Sequence, residues 1–254
     1  MTYTRKAIFL FISTLLLTAA SCTRTSAPAT ENSAQPKAAL PPVDPATTAT
    51  ITGVVKFDGT APAPVKIDMS ADPRCQGDNS WQPIIVDKGH LANVLVYVKD
   101  GLNGRTFSPP QPTFTVAQKN CAYVPHIAAV MAGQPVEFLD EDPTMHNIHP
   151  QPKQNKEWNQ SQQANGGHIQ RTFQNPELMI PIKCNQHPWM KMYLSVFNHP
   201  YFAVTGPDGS FTLKGLPPGT YTIAAMQEKL GEQTQTITVG PKDEKTGVAF
   251  TYSQ

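Results

Sequence analysis

The chain has 254 residues with 20 Lys and Arg against 19 Asp and Glu, a formal net charge of +1, so no electrostatic excess draws it to nucleic acid or anionic lipid. Hydrophobic residues make up 39%, enough for packed cores, while 25 Pro, 16 Gly and only 15% charged residues suit short strands joined by turns rather than long charge-laced helices. The length fits about two mostly β domains.

Arg5 and Lys6 precede an apolar run from Ala7 to Leu17, and Ala19, Ala20 and Ser21 lead into Cys22, so residues 1–21 have the parts of a bacterial export signal. The run is too short for an ordinary membrane span. Small residues directly before a cysteine resemble the lipoprotein processing box, although Ala19 stands where that box more often has Leu. The resemblance implies cleavage before Cys22 and attachment of lipid to its sulfur, anchoring the chain to a membrane. An ordinary signal peptide with Cys22 incidental is the alternative, and either one places the protein in the periplasm or cell envelope. Residues 22–50 are rich in Ala, Thr and Pro with almost nothing large and apolar, and read as a disordered tether.

Two short β-rich runs follow, Ile51–Phe57 and Leu91–Val98, bounded by Asp58-Gly59 and Asp100-Gly101. Further strand signals are Thr113–Ala117, Ile127–Ala132, Gln134–Leu139, Met145–His149, Gln170–Phe173, Leu178–Cys184 and Lys191–Phe197. At the far end Phe202–Thr205, the turn Pro207-Asp208-Gly209, Ser210–Leu213, Pro217-Pro218-Gly219, Thr220–Ala225 and Thr234–Val239 repeat the pattern. No segment makes a long amphipathic helix.

The run Thr205–Tyr221, with its Asp208-Gly209-Ser210-Phe211 turn and Pro218-Gly219-Thr220-Tyr221 strand start, closely resembles the carboxypeptidase regulatory-like β-sandwich family. Gly53-Val54-Val55 and Val94-Leu95-Val96 match that family's opening strands, yet 110 residues separate Val98 from Asp208 where the family has few. The resemblance implies an insertion. Its expected limits give a discontinuous regulatory-like sandwich at 51–111 and 200–254, and an inserted domain at 112–199, edged by Pro109-Pro110-Gln111-Pro112 and His199-Pro200.

With Cys22 assigned to lipid, Cys75, Cys121 and Cys184 remain in an oxidising compartment, and one must stay unpaired. Cys184 lies in the segment richest in other metal-ligand types, so the economical assignment is a Cys75–Cys121 disulfide with Cys184 as a ligand thiolate. Two free thiols, or a disulfide that uses Cys184, are the alternatives.

Cys184, His187, Met190 and Met192 are compressed into nine residues. A thiolate, an imidazole and a thioether are soft or borderline donors that favour copper, and an oxygen-poor site is wrong for Ca²⁺ or Mg²⁺. Two imidazoles and one thiolate in a plane with a long axial Met describe the blue-copper electron-transfer site. His146, 38 residues upstream of Cys184, is the candidate for the second imidazole. His149 points to the other face of a strand; His126, His199, His90 and His168 read as packing, turn or loop residues.

The segment Cys184-Asn185-Gln186-His187-Pro188-Trp189-Met190 resembles the short ligand loop of the amicyanin branch of the cupredoxins, and Met145-His146-Asn147-Ile148-His149 resembles its H-N-V-H strand. The resemblance covers roughly Cys121 to Asn198. It implies His146, Cys184 and His187 as equatorial ligands of one type 1 copper and Met190 as the axial ligand. It also implies that Asn147 ties the two ligand loops together, and that His187, at the surface beside Pro188 and Trp189, is the port for electrons. Met192 has the plastocyanin-like spacing and is the alternative axial ligand, or a core residue alternating with Leu194 and Val196.

The two resemblances together imply an all-β chain: a Greek-key cupredoxin β-sandwich inserted in, or packed beside, a second immunoglobulin/transthyretin-like β-sandwich. The expected function is electron transfer between transient redox protein partners, by a monomer that is no enzyme. Lys183 and Asn185 flank Cys184 where a trinuclear oxidase cluster needs His, a binuclear centre needs a second loop Cys, and no G-x-S-x-G nucleophile motif is present. The rival readings are an envelope copper-binding, storage or delivery protein, and a metal-free adhesion or scaffold module.

Overall fold

The structure is a computed structural model that describes residues 40–76 and 80–254. The export signal, the Cys22 lipid site and most of the tether lie outside the described residues. The tether's last two residues open a strand instead: Asp44 caps a short 3₁₀ turn at Pro45–Thr47, and the strand Ala49–Asp58 begins with Ala49 buried in a core. The described residues are all-β, and none of their helices is long and apolar enough to cross a membrane.

In one sandwich, Ala49–Asp58 runs antiparallel to Ser210–Leu216 and parallel to Glu244–Ser253, with the short strands His90–Leu91 and Val86–Asp87 continuing the sheet. The facing sheet orders Phe202–Val204, Leu95–Asp100, Gly219–Gln227 and Gly231–Val239. Between them lie Ile51, Val55, Val96, Leu213, Ile223 and Phe250, which come from alternate strand positions as a period of two requires.

The residues that carried the family resemblance have physical work here. Gly53 stands opposite Phe211 in register, and a Cβ on it would lie 2.5 Å from the Phe211 ring and 2.1 Å from the Val248 carbonyl oxygen. Gly209 has φ +66, and a Cβ on it would lie 2.4 Å from the Val55 carbonyl oxygen.

The second sandwich packs the sheet Ile169–Thr172, Pro135–Asp140, Phe114–Lys119, Ala122–Val124 against the sheet Gln160–Gln162, His146–Pro150, Glu177–Lys183, Lys191–Phe197, Ile127–Met131. Each sheet holds one parallel pair among antiparallel ones, Pro135–Asp140 with Phe114–Lys119 and Lys191–Phe197 with Ile127–Met131. Parallel neighbours need connections that cross from sheet to sheet, as hairpins cannot supply them. Val116, Phe138, Ile148, Ile182 and Leu194 fill the core.

Two features lie beyond the sequence reading. Ile67, Met69 and Cys75, expected in the regulatory-like sandwich, pack on the core of the second sandwich, where the expected Cys75–Cys121 disulfide forms and leaves Cys184 unpaired. The sandwiches also share a third cluster, in which Leu95, Tyr97 and Ala224 meet Ile127, Ala129 and Phe197. The strand Ile127–Met131 is therefore buried at all five positions: Ala128 and Val130 face one core while Ile127 and Ala129 face the neighbouring sheet.

Candidate metal centre

The centre is built at one end of the second sandwich. After the Pro135–Asp140 strand, the Asp142 amide donates to the Asp140 side chain (2.9 Å) and the Glu141 amide to the Gln118 carbonyl (2.9 Å), turning the chain into His146–Pro150. The strand's alternation aims His146 and Ile148 inward, both wholly buried, and leaves His149 at the edge. On the partner strand Glu177–Lys183, Cys184 is the first residue past the end. The loop after it is closed by two main-chain bonds: the Cys184 amide donates to the Met190 carbonyl (3.2 Å) and the Met190 amide to the His187 carbonyl (2.9 Å).

These elements bring His146, Cys184 and His187 together. The two Nδ1 atoms are 2.9 Å apart, Cys184 Sγ is 3.7 Å from His187 Nδ1, and the three residues are 0%, 3% and 4% exposed. The Asn147 amide donates to Sγ at 3.3 Å, the main-chain bond to sulfur expected near the thiolate. Met190 is buried in the same core as Cys184. Met192 is equally buried but sits inside the strand pair opposite Ile182.

The outer edge of each imidazole faces a carboxylate. His146 Nε2 lies 2.9 Å from Asp142, whose oxygens also accept the amides of Asn120 (2.6 Å) and Cys121 (2.8 Å). His187 Nε2 lies 3.3 Å from Asp72, whose carboxylate takes the Arg74 guanidinium at 2.9 and 3.0 Å and the Thr144 hydroxyl at 2.6 Å. The Arg74 guanidinium, and after it the Thr144 hydroxyl, hold the Asp72 carboxyl well below the usual carboxylate range. Burial pushes His146 below its ordinary value, opposed by Asp142.

This pattern tests whether the residues fit a metal. A carboxylate facing Nε2 favours the tautomer that keeps the proton there, which leaves Nδ1 free as a metal donor. At 2.9 Å the two Nδ1 atoms are close enough to share a proton or to converge, with the Cys184 sulfur, on one metal ion. Nitrogen, nitrogen and sulfur suit copper, and Met190, whose backbone bonds to Cys184 and His187, carries a thioether, a donor zinc does not ordinarily take.

Two expectations are corrected. His187 is not a surface port, because Asp72 covers its Nε2 edge; of the expected rim, Pro188 is exposed and Trp189 is half-buried, its Nε1–H donating to the Cys121 carbonyl at 3.2 Å. Asn147 does not tie the ligand loops through its side chain, whose amide donates to Asn159 (3.2 Å) and Ser161 (3.1 Å); its main-chain N–H makes the connection. The other histidines stay apart: His149 lies between Asn185 and Glu157, His126 meets Glu228, His168 meets Glu137, His90 sits in a strand pair and His199 is buried among aromatic rings.

Asp72 and Asp142 escaped the sequence reading. Asp142 sits in a turn signal, and turn carboxylates are commonplace. Asp72 has one usable clue, its place three residues before a cysteine whose partner, Cys121, lies beside the centre. Other metal-like groupings among the described residues, Asp72 with Cys75 and His187 and Cys121 with Asp142 and His146, reuse the same imidazoles and include disulfide-bonded sulfurs.

No family model matches this chain, and no curated protein matches it. Among solved structures, the copper-containing nitrite reductase of Thermus scotoductus SA-01 is 21% identical with a TM-score of 0.32, over 38% of this chain and 24% of the other. The chain thus spans about a quarter of that protein's length. A purple cupredoxin from Nitrosopumilus maritimus is 18% identical with a TM-score of 0.28, over 33% of this chain and 98% of the other. Amicyanin from Paracoccus versutus is 15% identical with a TM-score of 0.31, over 40% of this chain and 96% of the other.

Proposed function

We propose that the chain is a type 1 (blue) copper protein of the bacterial cell envelope that carries single electrons between transient redox partners, with no enzymatic activity of its own. The observation that carries this reading is the convergence of His146 Nδ1, His187 Nδ1 and Cys184 Sγ, all three buried. His146, Cys184 and His187 would hold one copper, with Met190 as the weak fourth donor. Copper there would supply one-electron exchange between Cu(I) and Cu(II).

The chain's own part is to keep the donors fixed, so that little rearrangement opposes the electron. Asp142 and Asp72 fix the tautomers and ring planes, the Asn147 amide tempers the sulfur, and the closed loop sets the spacing of Cys184 and His187. The Trp189 ring, 5.1 Å from that of His187, and exposed Pro188 form an apolar rim for a weak partner. In this reading the first sandwich is a carboxypeptidase regulatory-like module, and the signal and Cys22 lipid tether the protein to a membrane.

Storage or delivery of copper calls for a solvent-open site, which the near-complete burial of the three donors disfavours. A metal-free scaffold gives no reason for two buried imidazoles and a buried cysteine to converge. The test is the optical and electron paramagnetic spectrum of the Cu(II)-loaded protein. Intense colour from Cys184 thiolate charge transfer is expected, and its loss in Cys184→Ser. A colourless copper complex of the wild-type chain overturns the type 1 assignment.

A further inference from the structure

Asp72 reaches the centre from outside the sandwich that builds it. It belongs to the segment Met69–Cys75, which leaves the first sandwich, turns through main-chain bonds from the Asp72 amide to the Met69 carbonyl (3.1 Å) and from the Cys75 amide to the Asp72 carbonyl (2.9 Å), and lies over His187. Three attachments hold it: Met69 in the second core, the Asp72 bonds to Thr144 and His187, and the Cys75–Cys121 disulfide. The disulfide lies against the centre, with Cys75 Sγ within 4.8 Å of a His187 ring nitrogen and Cys121 Sγ within 4.8 Å of a His146 ring nitrogen. Removing this segment would uncover the Nε2 edge of His187.

We propose that Met69–Cys75 is a latch over the metal centre: Asp72 is a positioning residue for His187, and the Cys75–Cys121 disulfide clips it in place, so that the metal enters and leaves through the opening of this segment. The inference rests on the metal reading of the site for its consequence, but the latch itself concerns the chain alone. Clipping from a different sandwich lets the ligand frame stay rigid while the cover moves. Arg74, whose side chain is 60% exposed, completes the cover by engaging both Asp72 oxygens.

Two measurements separate the latch from the metal assignment. In the metal-free chain, acylation of His187 by diethyl pyrocarbonate, followed by peptide mass spectrometry, reads the exposure of its ring. Asp72→Ala and the paired Cys75→Ser, Cys121→Ser variant should raise that rate at least tenfold over wild type, with Asp72→Asn, which keeps an acceptor oxygen, in between. In the copper-loaded chain, transfer of Cu(I) to an excess chelator should accelerate in the same order. Unchanged acylation in both Asp72→Ala and the serine pair overturns the latch whatever the metal does. Faster acylation with unchanged Cu(I) transfer overturns its role in exchange, and a chain that takes up no copper overturns the metal reading while the acylation result still decides the cover. Should the serine pair fail to fold, Asp72→Ala and Arg74→Ala, which leave the disulfide intact, carry the test.

Discussion

Met190 and Met192 are both fully buried, at 1% and 0%, so exposure does not choose between them as the proposed fourth donor; the backbone favours Met190. The Met190 amide and carbonyl close the small loop that carries Cys184 and His187, which ties its position to theirs. Met192 faces Ile182 across the strand pair and shares the core with Leu194 and Val196. Met190→Gln is expected to keep the Cu(II) colour and lower the reduction potential, because a harder oxygen donor favours Cu(II). Met192→Gln should leave the potential unchanged and cost roughly 1–3 kcal/mol of stability from an unpaired buried amide. Spectroelectrochemistry and denaturant titration read the two effects, and the reverse ranking would move the axial role to Met192. At this scale the convergence of His146, Cys184 and His187 was legible, since their types and spacing lie within one loop and one strand. Their carboxylate partners were not: Asp72 is 115 positions from His187, and it is brought there by Met69 in the second core, the Thr144 hydrogen bond and the Cys75–Cys121 disulfide together.

Strands in the second sandwich were legible because a half-buried strand such as Pro135–Asp140 prints a period of two, while the fully buried Ile127–Met131 prints a continuous apolar run. The expected Lys191–Phe197 matches its observed span, and Ile127–Ala132 and Gln134–Leu139 differ by a residue or two at the ends. The short Gln160–Gln162 strand left no such mark, being polar and held by pairing with His146–Ile148. Between elements, glycine carries information that periodicity does not. The Ala49–Asp58 strand lies between Ser210–Leu216 and Glu244–Ser253, and at Gly53 the Phe211 ring and the Val248 carbonyl occupy the volume a side chain needs. Gly53→Ala must therefore push two strands apart or displace Phe211 from the core, at a cost of about 1–3 kcal/mol, the usual range for overpacking. Chemical denaturation of the variant checks this. A loss below about 0.5 kcal/mol would mean that the three strands adjust freely.

The joint between the sandwiches had no signature in the sequence, because Leu95, Tyr97, Ile127 and Ala129 look like ordinary core residues until two sheets are stacked. His199 sits at that joint. Its ring lies 5.2 Å from that of Phe197, which belongs to the shared cluster, and 5.9 Å from that of Tyr201, which belongs to the first core. Its Nδ1 accepts the Tyr201 amide at 3.2 Å, a bond that requires the neutral ring on that side. Burial pushes His199 down to about 4, from an ordinary value of 6.5. A folded value below the unfolded one means that the unfolded chain binds the proton more readily. The stabilisation is therefore complete above about pH 6.5, drains as the pH falls, and is exhausted once the pH passes below about 4. At about 1.4 kcal/mol per unit, a shift of this size corresponds to roughly 3 kcal/mol across that window. His199→Phe, which keeps a ring among the aromatic neighbours and cannot titrate, should remove this component while other acid-sensitive groups remain. Denaturant titrations of both proteins at pH 7 and pH 4.5 measure the difference. If wild type and variant lose the same stability between those pH values, the buried ring is not what makes the joint acid-sensitive.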